Sequence, residues 1–398
     1  MSRGIRFGIG MGWTLGAAVC LGQALPPTQS QRQIALTLEQ QGKNVEAEAA
    51  WRVFLKTHPS NPEPYAHLGL LEARQEHYKE AAPLYRKALA MNPSMPGVRL
   101  NLGLALFKGG ELKQAILEFK PLLKNQPPSS PEGLRLNTLI GMAHYGLGEY
   151  AAAAPYLKQA AAQDAQNLPL RLALAHSCLW AKQYQCVLDT YHEVLTLNAE
   201  SAEADMLVGE ALDEMKDTTG AIEQFRAAVK ANPKEPDAHY GLGYLLWIQK
   251  QYSEAMSEFQ AELANNPNHV LAMLYLADTD IQTSQIENAG PLLEKVVKLN
   301  PALALGHLDL GIVLAQAGHK QEAVREMKDA ARLDPNDVNV HWRLGRLYRS
   351  MDMKDEAKVE FDKASSITKA TDTALVNKIN VDHAKSRPAQ QPATEPEK

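Results

Sequence analysis

Small residues recur along this chain at a fixed interval: Ala35, Gly69, Gly103, Gly141, Ala175, Gly209, Gly243, Ala277, Gly311 and Gly345. Each step is 34 residues except that from Gly103 to Gly141, which is 38. A leucine, isoleucine or valine precedes every one of them, as Leu68, Leu242 and Leu344 do. Twelve residues after each small position stands a second column: Ala47, Ala81, Ala115, Ala153, Val187, Ala221, Ala255, Ala289, Ala323 and Ala357. Four residues further come Trp51, Tyr85, Phe119, Leu157, Tyr191, Phe225, Phe259, Leu293, Met327 and Phe361. Eight beyond those, proline closes seven units, at Pro59, Pro93, Pro127, Pro233, Pro267, Pro301 and Pro335.

These columns predict two helices per unit. The first carries the small residue and the second carries the alanine, because antiparallel helices approach closely only where side chains are small. The large residue follows the alanine by one turn, on the same face, and fills the space beside the contact. Gly109-Gly110, Gly148-Glu149 and Gly318-His319 break the chain between the two helices. The prolines stop the second helix, since proline lacks the next donor and disfavours helical backbone in the residue before it. Asn232-Pro233, Asn266-Pro267 and Asn300-Pro301 repeat that stop. The phase break lies at Gln126 to Gly133, whose Pro-Pro-Ser-Ser-Pro composition predicts a loop. It reads either as an insertion tolerated in a turn or as a hinge between three units and seven.

The period of 34 and the order of the columns resemble the tetratricopeptide repeat, whose signature is W-x2-L-G-x2-Y, then A-x3-F, then P. The stretch HWRLGRLY from His341, followed by AKVEF to Phe361, carries it with histidine in the tryptophan place. The resemblance covers about 28 to 371. It implies an all-α, right-handed superhelical solenoid of about ten helix-turn-helix repeats, with essentially no strand. Units around 134–201 depart from the pattern, with Ala165 and Ala199 for proline and Val187 for alanine. A repeat stack needs polar caps at its open ends. Unit 28–61 is rich in glutamine and glutamate, 372–385 is expected as a closing helix, and the Pro- and charge-rich 386–398 as a disordered tail. Repeats 1–3 then occupy 25–129, the inserted loop 130–133, and repeats 4–10 residues 134–371.

The start of the chain is different in kind. Arg3 and Arg6 precede an apolar, glycine-rich run from Phe7 to Leu21, then Gly22-Gln23-Ala24. This reads as a secretory signal peptide over 1–24, cleaved after Ala24. An uncleaved membrane anchor and a lipidated Cys20 are the alternatives, although branched Val19 fits the lipoprotein pattern poorly. The expected location is the periplasm or cell envelope.

Hydrophobic residues make up 45% of the chain, charged residues 22%, and the net charge is −5. That composition supports a packed core and lacks the basic footprint of a nucleic-acid binder. No metalloprotease helix, nucleophile elbow, Walker loop or Cys-x-x-Cys pair occurs, so neither enzyme activity nor a cofactor, metal or small-molecule substrate is expected. His239, His307 and His341 share one column. Metal–nitrogen bonds of about 2 Å cannot span helices spaced by 8–10 Å, so packing and interior hydrogen bonds are expected there. Cys178 and Cys186 flank one hairpin turn, and a disulfide and two free thiols both remain open.

In the resembled family the first helices line the concave side. By helical spacing their outward face carries Leu100, Leu104 and Phe107; Met142 and Tyr145; Leu172, His176 and Leu179; Met206, Glu210 and Asp213; Tyr240, Tyr244 and Trp247; Leu274, Asp278 and Ile281; Leu308 and Ile312; and Trp342, Arg346 and Arg349. Positions off the core are normally polar, and a long apolar stripe of this kind marks a binding surface unless neighbouring units bury it. The lysine–asparagine clamp by which some family members hold a carboxyl terminus is missing, since Arg32, Leu36, Ala66 and Leu70 occupy the relevant faces. The expected function is a non-catalytic scaffold that binds a protein or peptide segment in the groove. An assembly or chaperone-like factor for secretion, polysaccharide export or outer-membrane complexes is the alternative.

Overall fold

The computed structural model describes residues 27–127, 130–164, 166–197 and 200–385, with side chains from 31 to 373. Among these residues there are twenty helices and no strand. None of the helices is long and apolar enough to cross a membrane. The leader expected over 1–24 and the tail over 386–398 lie outside the described residues.

The helices pair into ten hairpins, and the chain divides into two compact units between Gln163 and Asp164. The first unit holds α1 (Pro27–Gln40), α2 (Asn44–Thr57), α3 (Glu63–Arg74), α4 (Tyr78–Met91), α5 (Val98–Lys108), α6 (Leu112–Lys124), α7 (Pro131–Gly146) and α8 (Tyr150–Gln163). The second begins with α9 (Leu168–Trp180), α10 (Tyr184–Leu197), α11 (Ala202–Glu214), α12 (Thr218–Ala231), α13 (Ala238–Ile248) and α14 (Tyr252–Asn265). It continues with α15 (Val270–Gln282), α16 (Ile286–Leu299), α17 (Ala304–Gln316), α18 (Lys320–Leu333), α19 (Val338–Ser350) and α20 (Lys354–Lys385). Within each unit every helix packs on the next one in sequence, which makes each a solenoid of stacked hairpins.

All ten members of the alanine column are buried. Glycines of the small column lie directly under the large residues of the partner helix. A methyl group at Gly243 would stand 2.7 Å from Phe259 and 3.3 Å from the Ala255 carbonyl, and one at Gly103 would stand within 2.4 Å of Phe119. Each turn inside a hairpin then places the residue seven after the small one in left-handed backbone. Gly42, Gly110, Gly148 and Gly318 fill four of these places, and Glu76, Lys182, Lys216, Lys250, Ser284 and Asp352 fill the other six. At the hairpin ends, the Asn232, Asn266 and Asn300 side chains accept from the backbone N–H two residues on, at 3.1–3.3 Å, across the closing proline. Asparagine before proline thus builds a side-chain-closed turn.

Two expectations change. The stretch 130–133, expected as an inserted loop, is helical from Pro131 onward, and α6 and α7 pack together inside the first unit. Here α7 is the longest first helix, 16 residues capped by Ser130 Oγ accepting from Gly133 N–H at 3.0 Å. An insertion close to the 3.6-residue helical turn can extend a helix without rotating its buried face. The closing helix expected over 372–385 is also not separate, because α20 runs on without a break from Lys354 to Lys385.

Candidate partner-binding face

The histidine column proves to be a repeated tie. His239, His307 and His341 each set Nδ1 against the carboxylate of Glu258, Glu326 and Glu360 on the following helix, at 2.6–2.7 Å. Each sets Nε2 against a closing-proline carbonyl, of Pro233, Pro301 and Pro335, at 3.0–3.1 Å. One ring therefore joins both helices of its hairpin to the turn that precedes it. Arg99 holds Glu118 at 2.8 Å from the same position in the third hairpin. These side chains are committed to the scaffold. Cys178 and Cys186 form a disulfide across α9 and α10, with α-carbons 5.8 Å apart.

On the first-helix face of the first unit, Leu104, Phe107, Met142 and Tyr145 are half-buried, and Tyr145 meets Tyr150 edge to face at 5.8 Å. In the second unit the expected stripe is only partly surface. Leu179, Leu274 and Ile312 are core residues, 7%, 1% and 8% exposed, and Leu308 is core as well. Neighbouring hairpins cover these positions, which spacing on one helix cannot reveal. His176 is half-buried and lies 6.2 Å from Trp180; burial holds its pKa below the usual imidazole range. Met206 and Ile281 are half-buried against core clusters. Trp342 is exposed, with the Arg346 guanidinium over its ring at 4.7 Å, while Arg349 lies 5.8 Å over Phe361.

The richest part of the face is aromatic. Tyr240, Tyr244 and Trp247 share one side of α13 as spacing predicts, with centroids of neighbours 6.1–6.2 Å apart. All three are half-buried. The residue that unites them is Tyr275 of α15, 5.1 Å from both Tyr244 and Trp247. Its hydroxyl is pushed up to about 12, first by burial and then by Tyr244. The Trp247 indole N–H donates to Asp278 Oδ2 at 2.7 Å. Tyr275 escapes the stripe drawn from sequence because it lies two residues before the small position, on the edge that meets the preceding hairpin.

Acids surround the rings. Glu210 is exposed and Asp213 half-buried. The Glu210 carboxyl lies above its ordinary range through partial withdrawal from solvent and then through Asp237. Asp309, also two before its small residue, is 3% exposed, and its carboxyl is raised to about 8 by burial and then by Asp278, with Arg343 opposing. Asp237, Glu262 and His269 bring one ligand atom each within 4.8 Å of the others. Their hydrogen bonds run otherwise. His269 Nδ1 accepts from Ala272 N–H at 3.0 Å, so Nε2 carries the proton and donates to Asp237 Oδ1 at 2.8 Å. Glu262 Oε2 accepts from Tyr240 N–H at 3.3 Å. A metal on Nε2 would have to displace that proton and turn Nδ1 into a donor facing a donor.

The sequence pattern of the tetratricopeptide repeat matches residues 32–96, 67–130, 100–168, 188–236, 209–270 and 308–357. BBSome complex member BBS4 of Bos taurus is 24% identical over 328 residues, which cover 79% of this chain and 62% of that protein. Human DnaJ homolog subfamily C member 3 is 21% identical, over 72% of this chain and 55% of its own. The chain thus spans less than two thirds of either relative. Among solved structures, MamA from Desulfovibrio magneticus RS-1 aligns with a TM-score of 0.40 at 23% identity, over 43% of this chain and 97% of its own. The C-terminal part of a TPR repeat-containing protein from Cytophaga hutchinsonii aligns with a TM-score of 0.47 at 17% identity, over 60% and 96%. The matched segments cover more than half of the chain, on ten hairpins whose columns stay in phase: the chain belongs to the tetratricopeptide repeat family.

Proposed function

We propose that this chain is a non-catalytic scaffold that holds a segment of a partner protein against the first-helix face of its second unit. The tetratricopeptide repeat is a protein–protein interaction fold, and relatives include subunits of multi-protein assemblies. The observation that carries the reading is the cluster of Tyr240, Tyr244, Trp247 and Tyr275, large rings left half-buried on a face that their own hairpins do not cover. Aromatic anchors with polar neighbours are the usual centre of an interface. Exposed Trp342 beside Arg346 extends the face towards the carboxyl terminus.

The reading places the mature chain in the periplasm or cell envelope. The basic and apolar leader ending at Ala24 supports export, and a disulfide between Cys178 and Cys186 suits an oxidising compartment. Crosslinking pull-down from envelope fractions, followed by titration of the captured partner against the Tyr244→Ala/Trp247→Ala variant, tests both parts. Unchanged affinity in the variant would remove this face as the binding site. Amino-terminal sequencing that finds Met1 on a cytoplasmic protein would remove the location.

A further inference from the structure

We infer that the second unit carries a cation-accepting subsite, in which a lysine or arginine of a bound polypeptide segment sets its charged head between Asp278 and Asp309 and its stem along Trp247 and Tyr275. The inference rests on the peptide-binding reading above and specifies what the segment must contain.

Asp309 is 3% exposed, and its Oδ2 has no hydrogen-bond partner. It is the one carboxyl among the described residues whose buried oxygen is left so. A buried polar atom without a partner is destabilising, and a buried charge without one far more so. In the free protein the burden is met by keeping Asp309 protonated up to about pH 8. The Asp278 carboxylate stands close enough to raise Asp309 further. Arg343 acts on Asp309 through its field, while its Nε donates to Asn339 Oδ1 at 3.0 Å. Two acids are thus brought together, with no cation bonded to either among the described residues, and a ligand's cation would relieve both.

Asp278 is already aimed. It accepts from the Trp247 indole at Oδ2 and from Gln282 Nε2 at Oδ1, the latter at 3.3 Å. A carboxylate has about four acceptor sites, so capacity remains. Trp247 and Tyr275 pack edge to face at 5.1 Å beside it and present ring surface to an alkyl stem or a guanidinium plane. Charge, an unpartnered acceptor and an aromatic wall all point to one occupant, a basic side chain.

Short synthetic peptides that share one apolar sequence and differ at a single central position (Lys, Arg, Gln or Glu) form the test, read by fluorescence anisotropy. The Lys and Arg peptides should bind about tenfold or more tightly than the Gln peptide, with Glu weakest. In Asp309→Asn and in the partly exposed Asp278→Asn, each checked by melting, Lys and Gln peptides should bind alike. Equal binding of Lys and Gln peptides to the unaltered protein, weakened in both cases by Tyr244→Ala, would overturn the subsite and leave the groove. Binding of none of the peptides, or binding indifferent to Tyr244→Ala, would overturn the groove as well. Competition by calcium or magnesium ions alone would recast the acid pair as an ion site and sink the inference.

Discussion

Gly243 and Asp309 show how much a single position decides. A leucine at Gly243 must enter space held by Phe259 and the Ala255 carbonyl. Overpacking of this kind is worth about 1–3 kcal/mol or more, so Gly243→Leu should lower the unfolding midpoint clearly. Glu235→Ala removes only an exposed bond from Asn232 and should stay within about 0.5 kcal/mol. Equal midpoints for the two would show that the helix register is wrong. Asp309 works through protons. Its pKa rises from 3.8 in the unfolded chain to about 8 when folded, so the folded state keeps a proton that the unfolded state releases. Stability attributable to this residue therefore falls as pH rises from about 4 to about 8 and stays low above that. Asp309→Asn, compared with the parent by denaturant titration, should be more stable above pH 8 and no more stable below pH 4. One pKa unit is worth about 1.4 kcal/mol, and the gap at high pH should reach at least about that. A gap that did not change with pH would show that Asp309 ionises in the fold as it does in water.

At the scale of the element, the hairpin turn and the disulfide carry separate burdens. Lys250 occupies left-handed backbone at φ 59°, a conformation that disfavours side chains by about 1–2 kcal/mol. Lys250→Gly should raise the melting temperature slightly, since the greater freedom of glycine in the unfolded chain offsets part of the gain. A lowered melting temperature would mean that the lysine side chain supports the turn. The α9–α10 hairpin belongs to the units that lack the closing proline. The Cys178–Cys186 bond, at a separation of 8 residues, closes a small loop there. Loop-closure entropy makes such a bond worth about 2–3 kcal/mol. Reduction, or Cys186→Ser, should raise amide exchange in α9 and α10 first. Unchanged exchange in that hairpin on reduction would argue that the bond constrains nothing its packing does not already fix.

At the scale of the whole molecule, the binding face should be separable from the fold only in part. Truncating Tyr244 or Trp247 to alanine should weaken partner binding by about 2–4 kcal/mol each, read by titration calorimetry. Because both rings are half-buried and Trp247 bonds Asp278, some folding stability should go with them, on the order of 1–3 kcal/mol. A fully collapsed melting curve would make the cluster core rather than contact surface. The repeating columns made most of the fold legible from sequence alone. Helix pairing, the buried alanines and the glycine contacts depend on neighbours within 34 residues that recur ten times in phase, and a repeat stack is held by such nearest-neighbour terms. The histidine column could be read as structural, although its proline carbonyl partners could not. The site was legible only on one helix at a time. Spacing put Tyr240, Tyr244 and Trp247 on one side of α13, and equally put Leu274 and Ile312 on surface they do not occupy. Tyr275 and Asp309 lie on the edge where one hairpin meets the one before it, and their meeting with Tyr244, Trp247 and Asp278 follows from how far adjacent hairpins shift and rotate. That offset is set by the fit of whole side-chain layers, so helical periodicity determined which residues share a face, and tertiary packing alone decided which of them stay open and what they confront.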